Sequence, residues 1–364
     1  MTNGVGIDTL TMNGQGVTGT GSVAQRLIGN GMNIHALRPW IADDGRCYMA
    51  VNQGGKMVPQ MVSNATLRFV EWKQYDEAVI REARIRLQGI QDLQSRGLVY
   101  NITNGMGKTV LESENLGEFT AAEISMDGLS KTQGDRAGFG TAYLPLPIIH
   151  KDYFINTRVL AVSRNVGDAL DTTSAELASR QVAEKMEDML FNGTGSYSFG
   201  GGTIYGYTDF GNRNTLDLAA NWDASGVTAE DIVQDVLAMK QALIGDRMYG
   251  PYVLYVPTAY ETVLDRDYFP VGSTTSNKTI RQRILEIANI QAVTIIDKLA
   301  ANNVLLIQMT SDVVRIVNGM EIAPVEWQEQ GGMVLHYKVM GIKVPQIRST
   351  QAGRCGIAHL RPAP

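Results

Sequence analysis

One stretch of this sequence, within residues 98–150, predicts a segment that cannot fold alone. It contains short strand-like pieces such as Leu98–Thr103, interrupted by a run that holds nearly all of the local charge. The charged residues of that run are Glu112, Glu114, Glu118, Glu123, Asp127, Lys131, Asp135 and Arg136. The pattern predicts a long two-stranded excursion with polar faces, and an isolated hairpin is marginally stable in water because it has no core. Something outside the excursion must therefore order it.

The first 62 residues predict a second segment that depends on other surfaces. Eight glycines fall within the first 31 residues, where only Asp8 and Arg26 are charged. No apolar periodicity persists there, apart from a short helical pattern at Ser22–Ile28. The segment has too few charges for a typical disordered tail. We therefore expect an extended arm that lies on another surface.

Composition supports a surface that is not wholly exposed to water. Charged residues make up 19% of the chain, below the usual ~25%, and 38 of the 364 residues are glycine, against a typical ~7%. The formal net charge is −5, which argues against a protein that coats nucleic acid through a basic face. With 44% hydrophobic residues, the chain can still bury a proper core.

Several classes of protein are not expected from this sequence. No apolar run approaches the ~18 residues of a membrane span. Met1–Leu10 carries neither a basic nor an apolar signal region, so we expect no secretory signal. Cys47 and Cys355 are too few for a disulfide framework or a zinc knuckle, and we expect reduced packing cysteines.

The remainder of the chain predicts a mixed body of helices and strands. Apolar spacing predicts a helix over residues 66–94, and Thr173 with Glu176 has the spacing of a capping box for a second helix. The second helix is expected to bury one apolar stripe and to stop at Asn192-Gly193; the stripe is Ala178, Val182, Met186 and Met189. Thr228 is expected to cap a third helix, and Ile280–Ala288 to form a fourth. Strands are predicted at Tyr252–Val256, Val293–Ile296, Val304–Met309, Val313–Val317 and Met333–Val344, the last of them half-buried because its residues alternate. This mixed order predicts the α+β class.

Two glycine motifs resemble phosphate-binding loops but lack the required context. Gly14-x-Gly16-x-x-Gly19 matches the dinucleotide fingerprint, yet no buried strand precedes it. Gly107-Lys108-Thr109 ends like a Walker A loop, but Ile102 stands where the first glycine is needed. We expect no cofactor at either motif.

No catalytic or metal-binding constellation is expected either. The four histidines, which are His35, His150, His336 and His359, lack metal-ligand spacing. No serine-nucleophile elbow is present. The carboxylates of Glu184, Glu187 and Asp188 are expected on the polar side of a helix, as solvated or inter-subunit charges. We therefore predict that the chain is not an enzyme, with an enzyme of unrecognised α+β fold and a scattered site as an alternative.

The order of the parts resembles the encapsulin shell proteins, over residues 68–362. Four segments carry this resemblance, and they are similar, in chain order, to four parts of that family. The parts are the N-terminal helix with its strand, the strand that returns from the long loop, the spine helix and a strand of the apical domain. These segments are Val70–Val79 running into Gly97–Tyr100, Leu144–Asp152, Leu170–Glu176 through Lys185–Gly193, and Tyr249–Tyr255. Encapsulins share the Hong Kong 97 fold with the major capsid proteins of tailed phages.

The resemblance implies an α+β, Hong Kong 97-like fold with a defined order of parts. The expected parts are an N-terminal arm (1–62), a peripheral domain (63–109 and 149–200) with a long spine helix, an E-loop (110–148), an apical domain (201–318) and return strands (319–364).

The resemblance also implies a structural function. An arm of this size is more typical of phage capsid proteins than of encapsulins. We therefore expect a major capsid protein that assembles into the hexamers and pentamers of an icosahedral shell around double-stranded DNA. It would be assembled in the bacterial cytoplasm and located in the virion. An encapsulin-type protein compartment is the alternative.

Partners and contact residues follow from the same resemblance. The chain itself is the main partner, with a portal, packaged DNA bound without sequence specificity, and a scaffold, protease or decoration protein in some systems; no membrane is expected. The E-loop charges expected to pair with adjacent subunits are Glu123, Asp127, Lys131, Asp135 and Arg136. Some family members crosslink an E-loop lysine to an asparagine. Lys131 is the sole lysine between Lys108 and Lys151, but no asparagine or glutamate matches the pattern, so crosslinking is not expected.

Overall fold

A computed structural model gives the structure of the chain. It describes residues 40–42, 46–53, 56–62, 77–81, 87–116, 124, 126, 139–158, 172–195, 197–269, 278–329 and 334–362. The strands are β1 (Trp40–Ile41), β2 (Cys47–Gln53), β3 (Lys56–Val62), β4 (Val99–Asn101), β5 (Val110–Leu116), β6 (Phe139–Pro145), β7 (Ile149–Asn156), β8 (Ser198–Phe199), β9 (Gly202–Thr203), β10 (Asn214–Leu218), β11 (Tyr252–Pro257), β12 (Ile290–Ile296), β13 (Val304–Gln308), β14 (Val314–Glu329), β15 (Val334–Ile347) and β16 (Ile357–Pro362). The helices are α1 (Gln88–Ser95), α2 (Thr173–Asn192), α3 (Ala229–Gly245), α4 (Glu261–Leu264) and α5 (Ile280–Leu285).

The first core lies between the long helix α2 and a four-stranded sheet of order β4-β14-β15-β7. The predicted stripe of α2 is buried, including Val182 and Met186, and it packs with Leu335, Tyr337 and Val339 of β15. Alternate β15 residues face this core because successive strand side chains point to opposite faces. The predicted stop at the end of α2 is confirmed, since Gly193 adopts a φ of 69°.

The second core lies on one face of a five-stranded sheet of order β10-β16-β13-β11-β12, whose other face, with Val253 and Tyr255, belongs to the first core. Strand β11 is buried along its whole length and pairs parallel with β12 and antiparallel with β13. Helix α3 packs against this core through Ile232, Val236 and Met239. Together the two sheets and their helices confirm the predicted α+β class.

The strands β14 and β15 are longer than the sequence predicts. Only Val313–Val317 was assigned to the first of them, but β14 continues to Glu329 and pairs antiparallel with β15. Side chains of β15 alternate between buried and half-buried from Val334 to Val339 and are then all buried as far as Gln346. At that end a third apolar cluster, which contains Ile342 and Val344, covers the second face, so the predicted half-buried pattern fails there.

The two predicted caps had different outcomes. Thr228 caps α3, as predicted, and the structure shows that it does so in a capping box with Asp231. The Thr173–Glu176 capping box is wrong, because α2 begins at Thr173 and the N-cap is Thr172. The Glu176 carboxylate instead accepts hydrogen bonds from the Arg81 guanidinium at 2.7 Å and the Thr172 hydroxyl at 3.1 Å.

Residues 1–62 contain strands that the sequence analysis did not predict. β1, β2 and β3 form a three-stranded antiparallel sheet within residues 40–62. The glycine-rich part of the predicted arm, residues 1–39, lies outside the described residues, as do the helical pattern at Ser22–Ile28 and the Gly14–Gly19 motif.

The predicted helix over residues 66–94 is not continuous. Residues 77–81 are helical and α1 ends at Ser95, but Leu87 has non-helical backbone angles (φ −91°, ψ 55°) and its side chain provides no cap. The backbone N–H groups of Gly89 and Ile90 instead donate to the Glu187 carboxylate at 2.6 and 3.4 Å. A carboxylate 98 positions along the chain therefore caps α1.

The expectation that Glu187 is a solvated charge is wrong. Its side chain is buried, and burial raises the pKa of the carboxyl to about 7, against the ordinary 4.5. Helix α2 packs on two sides, and the helical period places Glu187 between Ala183 and Phe191, away from the sheet and towards α1. Glu184 and Asp188 are partly exposed, and their carboxylates pair with Lys298 at 3.2 Å and Lys185 at 2.9 Å.

Candidate inter-subunit surface

The predicted charged excursion is a β-hairpin at its base. β5 and β6 pair antiparallel through seven residues each, from Val110 opposite Pro145 to Leu116 opposite Phe139. Leu111 and Leu144 anchor the base in the third apolar cluster, while Glu112, Glu114 and Tyr143 are exposed. The hairpin is a two-stranded sheet with no further strand among the described residues, as predicted.

The predicted inter-subunit charges are not located by the structure. Glu123, Asp127, Lys131, Asp135 and Arg136 all lie outside the described residues, so their pairing with neighbouring subunits stays a prediction. Ile124 and Met126, between the first two of these, are described. Both side chains are fully exposed, with relative accessibilities of 101% and 105%.

A short hairpin, β8–β9, packs tightly against β6. A Cβ atom on Gly202 would lie 2.1 Å from the backbone oxygen of Tyr143, closer than any side chain permits. Gly200 and Gly201 form the turn with φ values of 59° and 82°, which favour glycine. Glycine at these positions therefore allows β8–β9 to lie against the base of the E-loop hairpin.

A group of exposed aromatic side chains surrounds this contact. The rings belong to Tyr143, Tyr197, Phe199 and Tyr205, each between 42% and 50% exposed. Tyr205 also meets Phe210 edge to face, with 5.9 Å between ring centroids. Exposed aromatic clusters with polar neighbours are typical of protein interfaces. The sequence shows that residues 193–207 are rich in glycine and tyrosine, but not that β8–β9 packs against β6.

A groove of about 350 Å³ lies between the E-loop hairpin, the β8–β9 hairpin and the end of β15. Tyr143, Tyr205 and Phe210 line one part of it, and Asn212, Gln346 and Arg348 provide polar atoms. The described lining contains Arg348 and no aspartate or glutamate. We call this the basic groove.

A second arginine lies beside the basic groove. The Arg315 guanidinium lies 4.3 Å from the centroid of the Tyr100 ring and donates to the Gln346 side-chain oxygen at 2.6 Å. Burial lowers the pKa of Arg315, and the nearby positive charge of Arg348 lowers it further. Among the described residues, no carboxylate lies within ion-pair distance of either arginine. The described residues therefore leave the positive charge of the groove without a carboxylate partner.

A row of aromatic rings crosses the four-stranded sheet on the face opposite α2. Trp327, His336 and Phe154 are register partners on β14, β15 and β7. Trp327 and His336 stack with 5.3 Å between centroids, and Phe154 is 69% exposed. This row is a second apolar feature on the described surface.

The described part of the chain contains no group of three or more histidine, cysteine, aspartate or glutamate side chains that could hold a metal ion. It also contains no helix both long and apolar enough to cross a membrane. His359 is buried between Arg213, which donates to Nδ1 at 3.1 Å, and Asn303, 2.8 Å from Nε2. Burial lowers the pKa of His359 to about 4, so this ring is a neutral packing group.

Comparisons with known proteins place this geometry among shell proteins. The virus-like particle of Pyrococcus furiosus superposes with a TM-score of 0.57 and 16% identity, over 79% of this chain and 98% of that chain. The capsid of Myoviridae phage XM1 superposes with a TM-score of 0.54 and 10% identity, over 70% and 86%. The chain has the Hong Kong 97 fold of capsid and encapsulin-like shell proteins, as the sequence resemblance implied.

The sequence comparisons point in the same direction. The chain belongs to the family DUF6260, described as a family of unknown function, whose model matches residues 64–360. It is also 24% identical over 219 residues to the type 1 encapsulin shell protein of Myxococcus xanthus. The aligned residues cover 59% of this chain and 69% of that protein.

Proposed function

We propose that this protein is a structural subunit that assembles with copies of itself into a closed shell. The main support is a fold shared with shell proteins across most of their length, 98% of one chain and 86% of another. The second support is the hairpin β5–β6, which has no other strand beside it among the described residues, together with the fully exposed Ile124 and Met126 in the sequence between its two strands. In a shell, neighbouring copies would cover such surfaces and offset the cost of ordering them.

Within that class, we propose the major capsid protein of a tailed phage, which forms hexamers and pentamers around double-stranded DNA. The long glycine-rich segment before the family match supports this choice, since such an arm is typical of phage capsids. A net charge of −5 also suits a container into which DNA is driven, because a weakly charged wall does not trap the DNA electrostatically. A portal and packaged DNA would then be its partners, and the virion its location.

An encapsulin-type compartment is the second candidate. The match to the Myxococcus xanthus encapsulin shell protein favours it. In that case the shell would hold protein cargo instead of a genome, and the same fold and contacts between copies would apply.

The domain division is also a proposal. The four-stranded sheet with α2 would be the peripheral domain and α2 its spine helix, while the five-stranded sheet would form most of the apical domain. Within this proposal we draw the border of the apical domain near residue 313, and not at the expected residue 318, because β14 begins at Val314 in the four-stranded sheet.

Particle size tests the proposed function. We expect the purified chain to elute as megadalton particles in size exclusion and to appear as closed shells in negative stain. A small oligomer under all assembly conditions would contradict the shell and favour an enzyme of α+β fold. Nuclease-resistant DNA inside particles from the native source supports the phage capsid, and a protein cargo supports the encapsulin compartment.

A further inference from the structure

A buried lysine lies in the four-stranded sheet, opposite an asparagine. Lys343 of β15 is 3% exposed, and among the described residues it is the one lysine or arginine that is buried. Its register partner on β14 is Asn318. Directly opposed residues of an antiparallel pair point to the same face of the sheet, with Cβ atoms about 4.5–5.5 Å apart. The strand pairing therefore places an amine and a carboxamide next to each other.

An irregularity in β14 adds a carboxylate to this pair. Residues three apart on a regular strand point to opposite faces, so a regular β14 would separate Asn318 from Glu321. The register of β14 against β15 shifts between Asn318 and Met320, and again between Met320 and Ala323. Such shifts change the direction in which side chains point. As a result, the Asn318 side chain donates a hydrogen bond to the Glu321 carboxylate at 2.9 Å.

The Glu321 carboxylate contacts the nitrogen atoms of both side chains. The Lys343 Nζ atom lies 2.6 Å from Glu321 Oε2, and the Asn318 Nδ2 atom donates to Glu321 Oε1. Nδ2 also donates to the side-chain oxygen of Asn101 at 3.0 Å, so two acceptors fix the orientation of the Asn318 amide. The Asn318 oxygen is buried and has no hydrogen-bond partner among the described residues. The amide therefore turns its nitrogen, and not its oxygen, towards the carboxylate.

We propose that Lys343 and Asn318 form an isopeptide bond within one chain, with Glu321 as the residue that transfers the proton. In this reaction Lys343 Nζ attacks the side-chain carbon Cγ of Asn318. The Nζ–Cγ bond forms and the Cγ–Nδ2 bond breaks. The ammonium group of the lysine and the carboxamide thus become a secondary amide and one ammonium ion. No oxidant, reductant or other reactant is needed, and the product joins β14 covalently to β15.

The position of Glu321 suits both proton transfers of this reaction. The attack requires an amine that has given up one proton, and Glu321 Oε2 is the acceptor 2.6 Å away. The departure of Nδ2 requires a proton, and Glu321 Oε1 lies 2.9 Å from that nitrogen. One carboxylate can therefore act first as general base and then as general acid. Its side chain is 62% exposed, so the released ammonium ion has a path to solvent past the carboxylate.

A structural ion pair is the rival explanation of these contacts. A buried ammonium group needs a counter-charge, and Glu321 provides one. An ion pair alone does not require that the lysine be paired across the strands with an asparagine whose nitrogen meets the same carboxylate. The presence of all three groups at one point favours the reaction.

This bond is independent of contacts between copies. It differs from a crosslink between an E-loop lysine and another subunit, because Lys343, Asn318 and Glu321 all belong to one sheet of one chain. The inference goes beyond the proposed shell function and does not rest on it. Its test therefore uses single chains that have been denatured, whether or not the chain assembles.

Mass spectrometry of the denatured wild-type chain tests the bond. We expect an intact mass lower than that of the sequence by one molecule of ammonia. Trypsin does not cleave after a lysine whose side-chain nitrogen is part of an amide. Digestion should therefore give one branched peptide, in which residues 316–338, with Asn318, are joined to residues 339–348, with Lys343.

Variants assign the bond to these residues. Lys343→Arg keeps the positive charge and Glu321→Gln keeps the size of the side chain, and both should restore the full intact mass and lose the branched peptide. The matched control is Lys338→Arg. Lys338 is also on β15 and lies 3.5 Å from an Asp152 carboxylate oxygen, but its register partner on β14 is Val325, which has no amide side chain. This variant should keep the branched peptide. Circular dichroism of each variant should match that of the wild type.

Two results would overturn the inference. A wild-type chain of full mass, cleaved by trypsin after Lys343, would show that the three side chains form an ion pair only. Asn318 precedes Gly319, and an asparagine in that position can also lose ammonia by closing on its own backbone. A loss of ammonia that persists in Lys343→Arg, on a linear peptide, would assign the change to that ring closure. Because the wild type is analysed directly, the test holds even if Glu321→Gln does not fold.

Discussion

At the scale of single residues, the least expected feature is a buried carboxyl between two helices. Glu187 caps α1 from α2, and Gly89 makes this possible, because a Cβ there would lie 2.7 Å from the Phe191 ring and 3.0 Å from Glu187 Oε1. The negative charge of Asp297 adds to burial in raising the pKa of Glu187, and the backbone N–H groups of α1 oppose that rise. The joint is therefore a compromise between a helix dipole that favours charge and a core that opposes it.

This compromise predicts a pH dependence of stability. The folded pKa of Glu187 is about 7 and the ordinary value 4.5, so the folded chain holds the proton more tightly than the unfolded chain. Stability from this group is thus greatest below pH 4.5 and falls as the pH rises towards 7. We expect Glu187→Gln to remove about 2–3 kcal/mol of the difference in unfolding free energy between pH 5 and pH 8.

Urea unfolding of unassembled subunits at the two pH values measures this difference. Glu184→Gln is the matched control on the same helix, because Glu184 is partly exposed and pairs with Lys298; it should keep the wild-type pH slope. Equal slopes for the wild type and Glu187→Gln would show that Glu187 does not hold its proton at neutral pH.

At the scale of elements, the sequence predicts the features that depend on nearby residues and misses those that depend on residues far along the chain. The capping box at Thr228 and the glycine stop after α2 depend on residues a few positions apart, and the sequence predicted both correctly. The interruption at Leu87 depends on Glu187, 98 positions beyond Gly89, and the burial of both faces of β15 depends on a third apolar cluster. The spacing of apolar residues shows which face of an element is buried in a core. It cannot show whether another element also covers the opposite face.

The same distinction applies to the candidate surface. The strand-like pieces and the concentrated charge within residues 98–150 predicted the excursion, and its stem is a hairpin. The basic groove was not predicted, because it brings together Tyr143, Tyr205 and Arg348, which are separated by 62 and 143 positions along the chain. Only the fold places these residues in one site.

The contact between the two hairpins gives a prediction at this scale. Gly202→Ala would place a methyl group against the Tyr143 backbone, which cannot move like a flexible side chain. We expect a loss of about 1–3 kcal/mol of stability, the usual cost of overpacking, and a displaced wall of the basic groove. Thermal unfolding measures the first effect and shell yield the second.

Gly211→Ala is the control for this change. Gly211 is exposed, and a Cβ atom there meets no atom within 4 Å. The melting temperature of the Gly211→Ala variant should therefore stay near that of the wild type. A Gly202→Ala variant as stable as Gly211→Ala would show that β8–β9 can separate from β6 at no cost.

At the scale of the whole molecule, the two sheets are buried more fully than the long hairpin. The sheets have substantial cores, in which residues such as Tyr255 and Trp222 are fully buried. Among the described side chains of the hairpin β5–β6, those at its base, Leu111 and Leu144, belong to an apolar cluster. Under the proposed shell function, the low share of charged residues, 19%, fits a hairpin whose surface is covered by other copies.

The returning half of the E-loop gives the last prediction. Residues 131–136 include Lys131 and Arg136, so this part carries positive charge, unlike residues 117–130, which contain three carboxylates and no lysine or arginine. Under the proposed shell function, we expect Lys131→Glu/Arg136→Glu to keep the melting temperature of unassembled subunits, because both residues lie between β5 and β6 in the sequence, outside the strands and helices of the two large sheets. The same variant should assemble poorly, because it places negative charge where a neighbour provides carboxylates.

Salt distinguishes this effect from misfolding. Screening weakens exposed charge interactions, since the Debye length falls from about 10 Å at 0.1 M salt to about 3 Å at 1 M. The repulsion in the double variant should therefore be relieved at high salt, and its shell yield should rise towards that of the wild type. The charge-conserving variant Lys131→Arg/Arg136→Lys should assemble normally at both salt concentrations. Wild-type yield and stability of Lys131→Glu/Arg136→Glu shells at low salt would show that these two charges do not meet a neighbour, and the contacts that order the E-loop would then have to be apolar.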